Sequence, residues 1–312
     1  MARIAGCDRR PPAERVYTTA GNPARHVHDG HDSRGAGRGP PSGYTVTGKN
    51  VSVGDGSGTD VRRAARRPRS AYDAIARLYD PWSRSVTEDI SFYVDEARRA
   101  GGPVVELGVG TGRIAVPLAE AGIPVIGVDD SSAMLEVCRE RAVEAGVSDL
   151  VDLRRGDLRE PPVGERVRLV ACPFRAYLHL PDDAERRRAL EAARELLAPD
   201  GRLVFDVFAP GREDIAETHG RWLEREPGIW ERADWNTSDR TLTLQVRSDR
   251  EETTMRLAWL SAPEWRRLLD ATGFEVEALY GWFDRRPFSG GEDMVWIART
   301  TAAESGPAVA VE

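Results

Sequence analysis

Glu106 stands two residues ahead of three glycines at alternate positions, Gly108, Gly110 and Gly112, in the stretch VVELGVGTGRIAVPLA (Val104–Ala119). A hydrophobic run enters this turn and an amphipathic run leaves it, so backbone N–H groups gather at the positive end of a helix. Glycine there lets a ligand approach the backbone closely and permits positive φ. The spacing is G-x-G-x-G, and Arg113 takes the place of the third glycine of the dinucleotide fingerprint G-x-G-x-x-G. No GK[ST] follows, so the turn is not a phosphate loop. A carboxylate at position 106 would repel a pyrophosphate and suits a ligand that carries an ammonium group.

Two further acids end apolar runs. Asp129 closes IPVIGVD, where a carboxylate can accept two hydrogen bonds from ribose hydroxyls. Gly156-Asp157-Leu158 closes LVDLRRGDL; Asp157 there can accept from an adenine amino group while Leu158 packs on the ring. A fourth apolar run leads into ACPFRAYLHL, which offers Phe174, Arg175, Tyr177 and His179. Ligands of parallel sheets lie beyond the carboxyl ends of the strands, which is where this segment falls. His179, with an ordinary pKa of about 6.5, is the candidate general base; its structural alternative is to cap the helix beginning near Asp182. Arg175 pairs with an acidic substrate or braces a loop.

The elements that must position these residues alternate. Strands PVVEL, IPVIGVD, LVDLRRGD, RVRLVACPF and RLVFDVF are interleaved with helices over Gly112–Ala121, Ser131–Ala145 and Asp182–Leu197, the last ended by PDG. Such alternation predicts a parallel sheet with helices on both faces. Ahead of it, SAYDAIARLYDPWSR puts Tyr72, Ile75, Ala76 and Tyr79 on one helical face, limited by Pro81; a second helix follows over Ser85–Ala100. After Phe208 the alternation stops, and residues 221–260 read as antiparallel strands with one wet face, since Leu242, Leu244 and Val246 alternate with polar residues. Their Trp222, Trp230, Trp235 and Trp259 form a dry roof, the apolar face of a small sheet, or a dimer surface. Ser261 and Glu264 then make a capping box for a helix. Phe274–Tyr280 and Met294–Arg299 are the final strands, joined by the aromatic loop YGWFDRRPF.

Charge is unevenly spread. The 312 residues carry a net −7, yet the first 70 hold about 13 basic and 6 acidic side chains. An acidic body is the opposite of what grips nucleic acid. Residues 1–68 are rich in Gly, Pro and Arg without sustained periodicity, and they predict a disordered tail, as do residues 301–312. The ordered domain is expected over 69–300. His26, His28 and His31 sit in that tail with nothing to fix them as ligands, and Cys7, Cys138 and Cys172 form no CxxC pair, so no metal site is expected. No apolar run approaches the roughly 18 residues of a membrane span, and the N-terminus lacks the apolar core of a secretory signal. A cytoplasmic protein without membrane or nucleic-acid partners is expected.

With ELGVGTGR, VDDSSAML, GDL, LLAPDGRL and the late antiparallel strand in this order, the chain over about residues 70–300 resembles the class I S-adenosylmethionine-dependent methyltransferases. That resemblance implies an α/β fold: a seven-stranded, mostly parallel, doubly wound sheet with an antiparallel last strand, here with an antiparallel β insert as a lid after the fifth strand. It implies S-adenosyl-L-methionine as cofactor. Glu106 and the glycines would cradle its methionine end, Tyr72 would reach the same end, and Asp129 would hold the ribose. Met134 would pack on the adenine, with plain core packing as its alternative; Asp157 and Leu158 would frame the adenine edge, and Phe174 would lie beside the cofactor. The implied activity is methyl transfer to a nitrogen or oxygen of a small-molecule acceptor in a closed pocket, with His179, Tyr177 and Arg175 as candidate catalytic residues and a homodimer through the insert as one assembly. The other readings of the same turn are a cofactor-binding regulator without catalysis and an NAD(P)-dependent oxidoreductase.

Overall fold

The computed structural model describes residues 70–83 and 87–301. The expected N-terminal tail, with Cys7, His26, His28 and His31, and residues 302–312 of the expected C-terminal tail lie outside the described residues.

A 3-10 turn at Ala71–Ala74 leads into α1 (Ala76–Ser83) and α2 (Glu88–Ala100). Strands and helices then alternate: β1 (Val104–Leu107), α3 (Ala115–Glu120), β2 (Val125–Asp129), α4 (Ser132–Glu144), β3 (Val151–Arg155), β4 (Val167–Cys172), α5 (Asp183–Glu195) and β5 (Leu197–Phe208). After α6 (Arg212–Thr218) come β6 (Trp222–Glu226), β7 (Ile229–Asn236), β8 (Thr241–Arg247) and β9 (Glu252–Ala258), then α7 (Ala262–Ala271), β10 (Phe274–Tyr280) and β11 (Asp293–Thr300). The large sheet has seven strands in the order β10-β11-β5-β4-β1-β2-β3. β1 to β5 pair in parallel, and β11 runs antiparallel to both β5 and β10. This is the expected α/β sheet with its antiparallel last strand.

Successive side chains of a strand point to opposite faces, and both faces here are covered. Val105, Leu107, Val170, Cys172, Leu203 and Phe205 join one core with Leu190 of α5 and Trp265 of α7. Their neighbours Val104, Leu169, Ala171 and Val204 join the other, with Phe92 and Tyr93 of α2 and Leu118 of α3. β1, buried at every position, ends at the glycine turn.

Three local expectations are corrected. The helix expected from Gly112 begins at Ala115, because Gly112 sits at φ +78° and cannot open a right-handed helix. Pro81 lies inside α1 and does not end it; the carbonyl it leaves without a partner belongs to Arg77, an exposed residue whose backbone water can reach. Pro199-Asp200-Gly201 does not separate helix from strand. It is a turn within β5, where Leu197 already pairs with Val167 before the register shifts, and Asp200 takes φ +62°.

The insert is a separate four-stranded antiparallel sheet, β6-β7-β8-β9. Its inward residues Ile229, Ala233, Trp235, Leu242, Leu244, Val246, Met255 and Leu257 join the first core. It sits on the leading helices: Trp82 Nε1 donates to Glu231 Oε2 at 3.1 Å, and Thr253 Oγ1 donates to the carbonyl of Ala71 at 2.9 Å. Trp235 packs edge-on against Trp259 and Phe208 and is core, not pocket wall. Trp222 lies under the Arg247 guanidinium at 3.8 Å, and Trp230 is exposed.

Glu231 is 1% exposed, so its partners decide whether that burial is tolerated. Trp82→Phe removes a hydrogen bond to a buried charge and is expected to cost about 1.5–3 kcal/mol, read as a lower urea midpoint with unchanged slope.

Candidate functional site

The glycine turn is held from below by the neighbouring strand. Gly108 and Val109 N–H both donate to the carbonyl of Val128, at 2.8 and 3.0 Å. Asp129 Oδ2 accepts from Gly110 N at 2.9 Å, and Asp129 Oδ1 accepts from Ser131 N at 2.9 Å. All three glycines have positive φ, but they are glycine for different reasons. A Cβ on Gly112 would sit 2.5 Å from Cys138 Sγ, and one on Gly108 would sit 3.0 Å from the Ala176 Cβ. A Cβ on Gly110 would meet nothing nearer than the Gly108 carbonyl at 4.0 Å. Gly110 is therefore the glycine whose face the protein leaves open.

Beneath the turn Glu106 is 1% exposed, and its Oε2 has no hydrogen-bond partner. Burial pushes its carboxyl well above the ordinary range, against the opposing pull of Arg113. Arg113 itself is committed elsewhere. It forms an ion pair with Asp89 of α2, and its guanidinium lies 4.5 Å over the Phe174 ring. Burial also raises Asp129, to about 6, although its two backbone hydrogen bonds oppose the rise. A carboxylate has about four lone-pair sites, so two remain for ligand hydroxyls. An orphaned buried carboxylate oxygen, an open glycine edge and a half-used carboxylate match an ammonium group and a ribose, as S-adenosylmethionine presents them.

Tyr72 and His179, distant in sequence, meet here. Tyr72 OH and His179 Nε2 are 2.9 Å apart and hydrogen-bonded, with the rings edge to face at 5.3 Å. Burial lowers His179 to about 4, so its imidazole is neutral near pH 7; the candidate base named from the sequence is hydrogen-bonded to Tyr72. Helix capping falls instead to Asp182, which accepts from Glu185 N at 2.9 Å. Tyr177 is not brought to this site. It is 1% exposed in the core, packed against Phe205 and Trp265. Arg175, at φ +66°, donates to Asp293 Oδ1 at 2.7 Å and lies over Phe208, which braces its turn against β11.

Met134 is 2% exposed within the first core, and Leu158 packs against that core half-buried. The Asp157 carboxylate is held by Arg159, Oδ1 accepting from its N and Nε at 2.8 Å each. Phe174, at φ +54°, donates its N–H to Asp206 Oδ1 at 2.8 Å, and Tyr93 OH donates to the same oxygen at 2.7 Å. Burial pushes Asp206 up to about 6. Sequence reasoning missed Asp206, Asp89 and Asp73. Asp73 Oδ1 accepts from Ser131 Oγ at 2.6 Å and ties the leading turn to the start of α4. The one available signal was Asp206 itself, an acid inside the apolar run RLVFDVF. Among the described residues no group of His, Cys, Asp or Glu is arranged to hold a metal ion, and no helix is long and apolar enough to cross a membrane.

This geometry agrees with the comparisons. Residues 104–201 match the family model described as a methyltransferase domain. An uncharacterised methyltransferase of Geobacillus kaustophilus is 31% identical over 143 residues, 41% of this chain and 64% of that protein. The chain spans between 53% and 66% of the length of the first curated relatives it matches. Among solved structures, the CcbJ methyltransferase from Streptomyces caelestis is 28% identical with a TM-score of 0.66, covering 75% of this chain and 99% of that one. The SAM-bound amino pentose methyltransferase CalS10 from Micromonospora echinaspora, 23% identical with a TM-score of 0.53, covers 72% and 95% and shares the fold. The chain has the fold of the class I S-adenosylmethionine-dependent methyltransferases, and residues 104–201 match the methyltransferase-domain model.

Gly112 and Gly110 separate side-chain packing from backbone strain. Gly112→Ala combines an overpacked Cys138 contact with a strained φ and is expected to cost about 2–5 kcal/mol of stability. Gly110→Ala carries only the backbone strain, about 1–2 kcal/mol. Urea denaturation of both variants checks the order.

Proposed function

We propose that the protein binds S-adenosyl-L-methionine in the glycine turn and methylates a nitrogen or oxygen of a small-molecule acceptor. The observation that carries this reading is the buried Glu106 carboxylate with an unpartnered oxygen, under a glycine edge that no protein atom fills. In this reading Glu106 and Gly110 hold the amino-acid end of the cofactor, the Tyr72–His179 pair borders that end, and Asp129 takes the ribose hydroxyls. Leu158 and Asp157 frame the adenine, and Met134 supports that wall from the core. Bound there, the cofactor supplies a methyl group on a sulfonium, an electrophile that carries its own leaving group.

What the chain must then add is position and dryness. Holding the acceptor in line is worth an effective molarity on the order of 10⁵–10⁸ M. Phe174 is fixed by Asp206 and Arg113, and the β insert is fixed over the leading helices through Glu231 and Thr253. Those contacts set the walls and roof within which an acceptor is oriented. An acidic body supports a small-molecule acceptor over nucleic acid.

S-adenosylhomocysteine is expected to raise the melting temperature, and NADPH is not; no shift with S-adenosylhomocysteine would overturn the reading. Asp129→Ala is expected to weaken S-adenosylhomocysteine binding by about 1–3 kcal/mol. Asp129 must be ionised to accept from ribose hydroxyls, and its carboxyl titrates near 6. The wild-type Kd is therefore expected to rise as pH falls through 6, and Asp129→Ala is expected to lose that part of the pH dependence.

A further inference from the structure

Another carboxylate stands at the same end of the sheet, apart from the cofactor residues. Glu292 immediately precedes β11. Its carbonyl accepts from Ala209 N at 2.9 Å, just past the end of β5, and the next residue, Asp293, pairs in register with Phe208. Glu292 thus lies at the carboxyl end of β5, beside the turn after β4, α6 and the first strand of the insert.

The charged groups around it are mostly spoken for. Asp293 of β11 is bonded to Arg175 at 2.7 Å, and Arg225 of β6 is bonded to Glu231 at 2.7 Å. Asp214 of α6 accepts from Gly211 N at 2.8 Å. Glu292 differs, because its Oε1 is buried and makes no hydrogen bond. Arg225, whose charge reaches Glu292, has a side chain only 5% exposed and leaves its Nε buried without a partner as well. A buried acceptor atom and a buried donor atom, on side chains whose charges act on each other, are therefore both unsatisfied. Such a pair is satisfied by a group that brings both a donor and an acceptor.

Resting on the methyltransferase reading above, we propose that Glu292 binds the protonated amino group of the acceptor and removes a proton from it, while Arg225 Nε donates to a neighbouring oxygen of the same molecule. The acceptor class is then a small hydroxylated amine, such as an amino sugar. In the proton step an N–H bond of the ammonium breaks and an O–H bond forms on the carboxylate. A positive and a negative charge disappear together, and the nitrogen keeps the lone pair that a methyl acceptor needs.

Burial first, and the charge of Asp293 next, push Glu292 up to about 8; Asp214 adds to the rise, and Arg175 and Arg225 oppose it. That value is far better matched to an alkylammonium, ordinarily near 10, than is His179 at about 4.

The test uses the full chain with labelled S-adenosylmethionine, a panel of amino sugars and the same sugars bearing hydroxyl in place of the amine. Wild type is expected to methylate amines. Glu292→Gln is expected to lower kcat/KM for the amine by about 100-fold and to weaken amine binding to the S-adenosylhomocysteine-loaded protein at least tenfold, measured by calorimetry. Its own affinity for S-adenosylhomocysteine should stay within twofold, which shows that the variant is folded. The wild-type kcat/KM should rise with pH through about 8, and Glu292→Gln should lose that limb. Amine binding and turnover unchanged in Glu292→Gln, methylation of hydroxyl sugars alone, or no Glu292-dependent amine binding would each overturn the assignment. Failure to bind S-adenosylhomocysteine would overturn the cofactor reading instead.

Discussion

A carboxylate with an unpartnered oxygen, placed in the middle of a buried strand, is the constraint on which the site depends. Glu106 lies between Val105 and Leu107, in a strand buried at every position. An ionised acid there is costly unless something compensates it. Arg113 is near enough to oppose the shift, but it is held by Asp89 and stacked over Phe174, so it does not cancel it. Burial therefore works against the charged form of Glu106. A cation placed beside it would favour that form again. The turn above it, with φ positive at all three glycines, brings the backbone edge over the carboxylate and leaves Gly110 open.

Everything else at this end of the sheet is fixed by long-range contacts between strand termini. The end of β1 supplies the turn, the end of β2 supplies Asp129, and Asp129 in turn pins Gly110. The end of β5 supplies Asp206, which accepts from Tyr93 of α2 and from Phe174 after β4. α2 returns through Asp89 to Arg113, the residue just past the glycines. Turn, helix and aromatic wall form a closed circuit. A local change in any one of them is felt at Phe174, which already occupies an unfavourable left-handed conformation.

The succession of strands, the glycine turn and the placing of Asp129 at a strand end were legible in the sequence because they depend on local patterns: short apolar runs, turn chemistry and an acid closing the run. The capping box of Ser261 and Glu264 was legible for the same reason. Tyr177 and His179 were not separable. They share a four-residue 3-10 turn entered through two left-handed residues, Phe174 and Arg175, and such a turn has no sequence period from which to read its phase. One side chain enters the core and the other meets Tyr72. Arg113, Asp206 and Glu292 were missed because their significance lies in partners, or in a missing partner, from remote strands. The tryptophans of the insert fall between these cases. Along β7 the inward positions are Ile229, Glu231, Ala233 and Trp235, so alternation alone puts Trp235 inside and Trp230 outside. The same alternation marks Glu231 as a buried acid.

Burial is the leading cause of the shifts at Glu106, Asp129, His179, Asp206 and Glu292, and it acts in opposite directions on acids and bases. It disfavours charge, so an imidazole gives up its proton while a carboxylic acid keeps one. His179 falls to about 4 and Glu292 rises to about 8 under the same leading cause. Judged by residue type alone, the histidine suits proton transfer near neutrality and the glutamate does not. In the enclosed space their suitability is exchanged, and the neutral histidine is left free to hold the Tyr72 hydroxyl. The identity of a proton-handling residue in such a fold is thus decided less by its side chain than by the walls around it. Those walls are built by the β insert and the leading helices, elements far from the glycine turn in sequence.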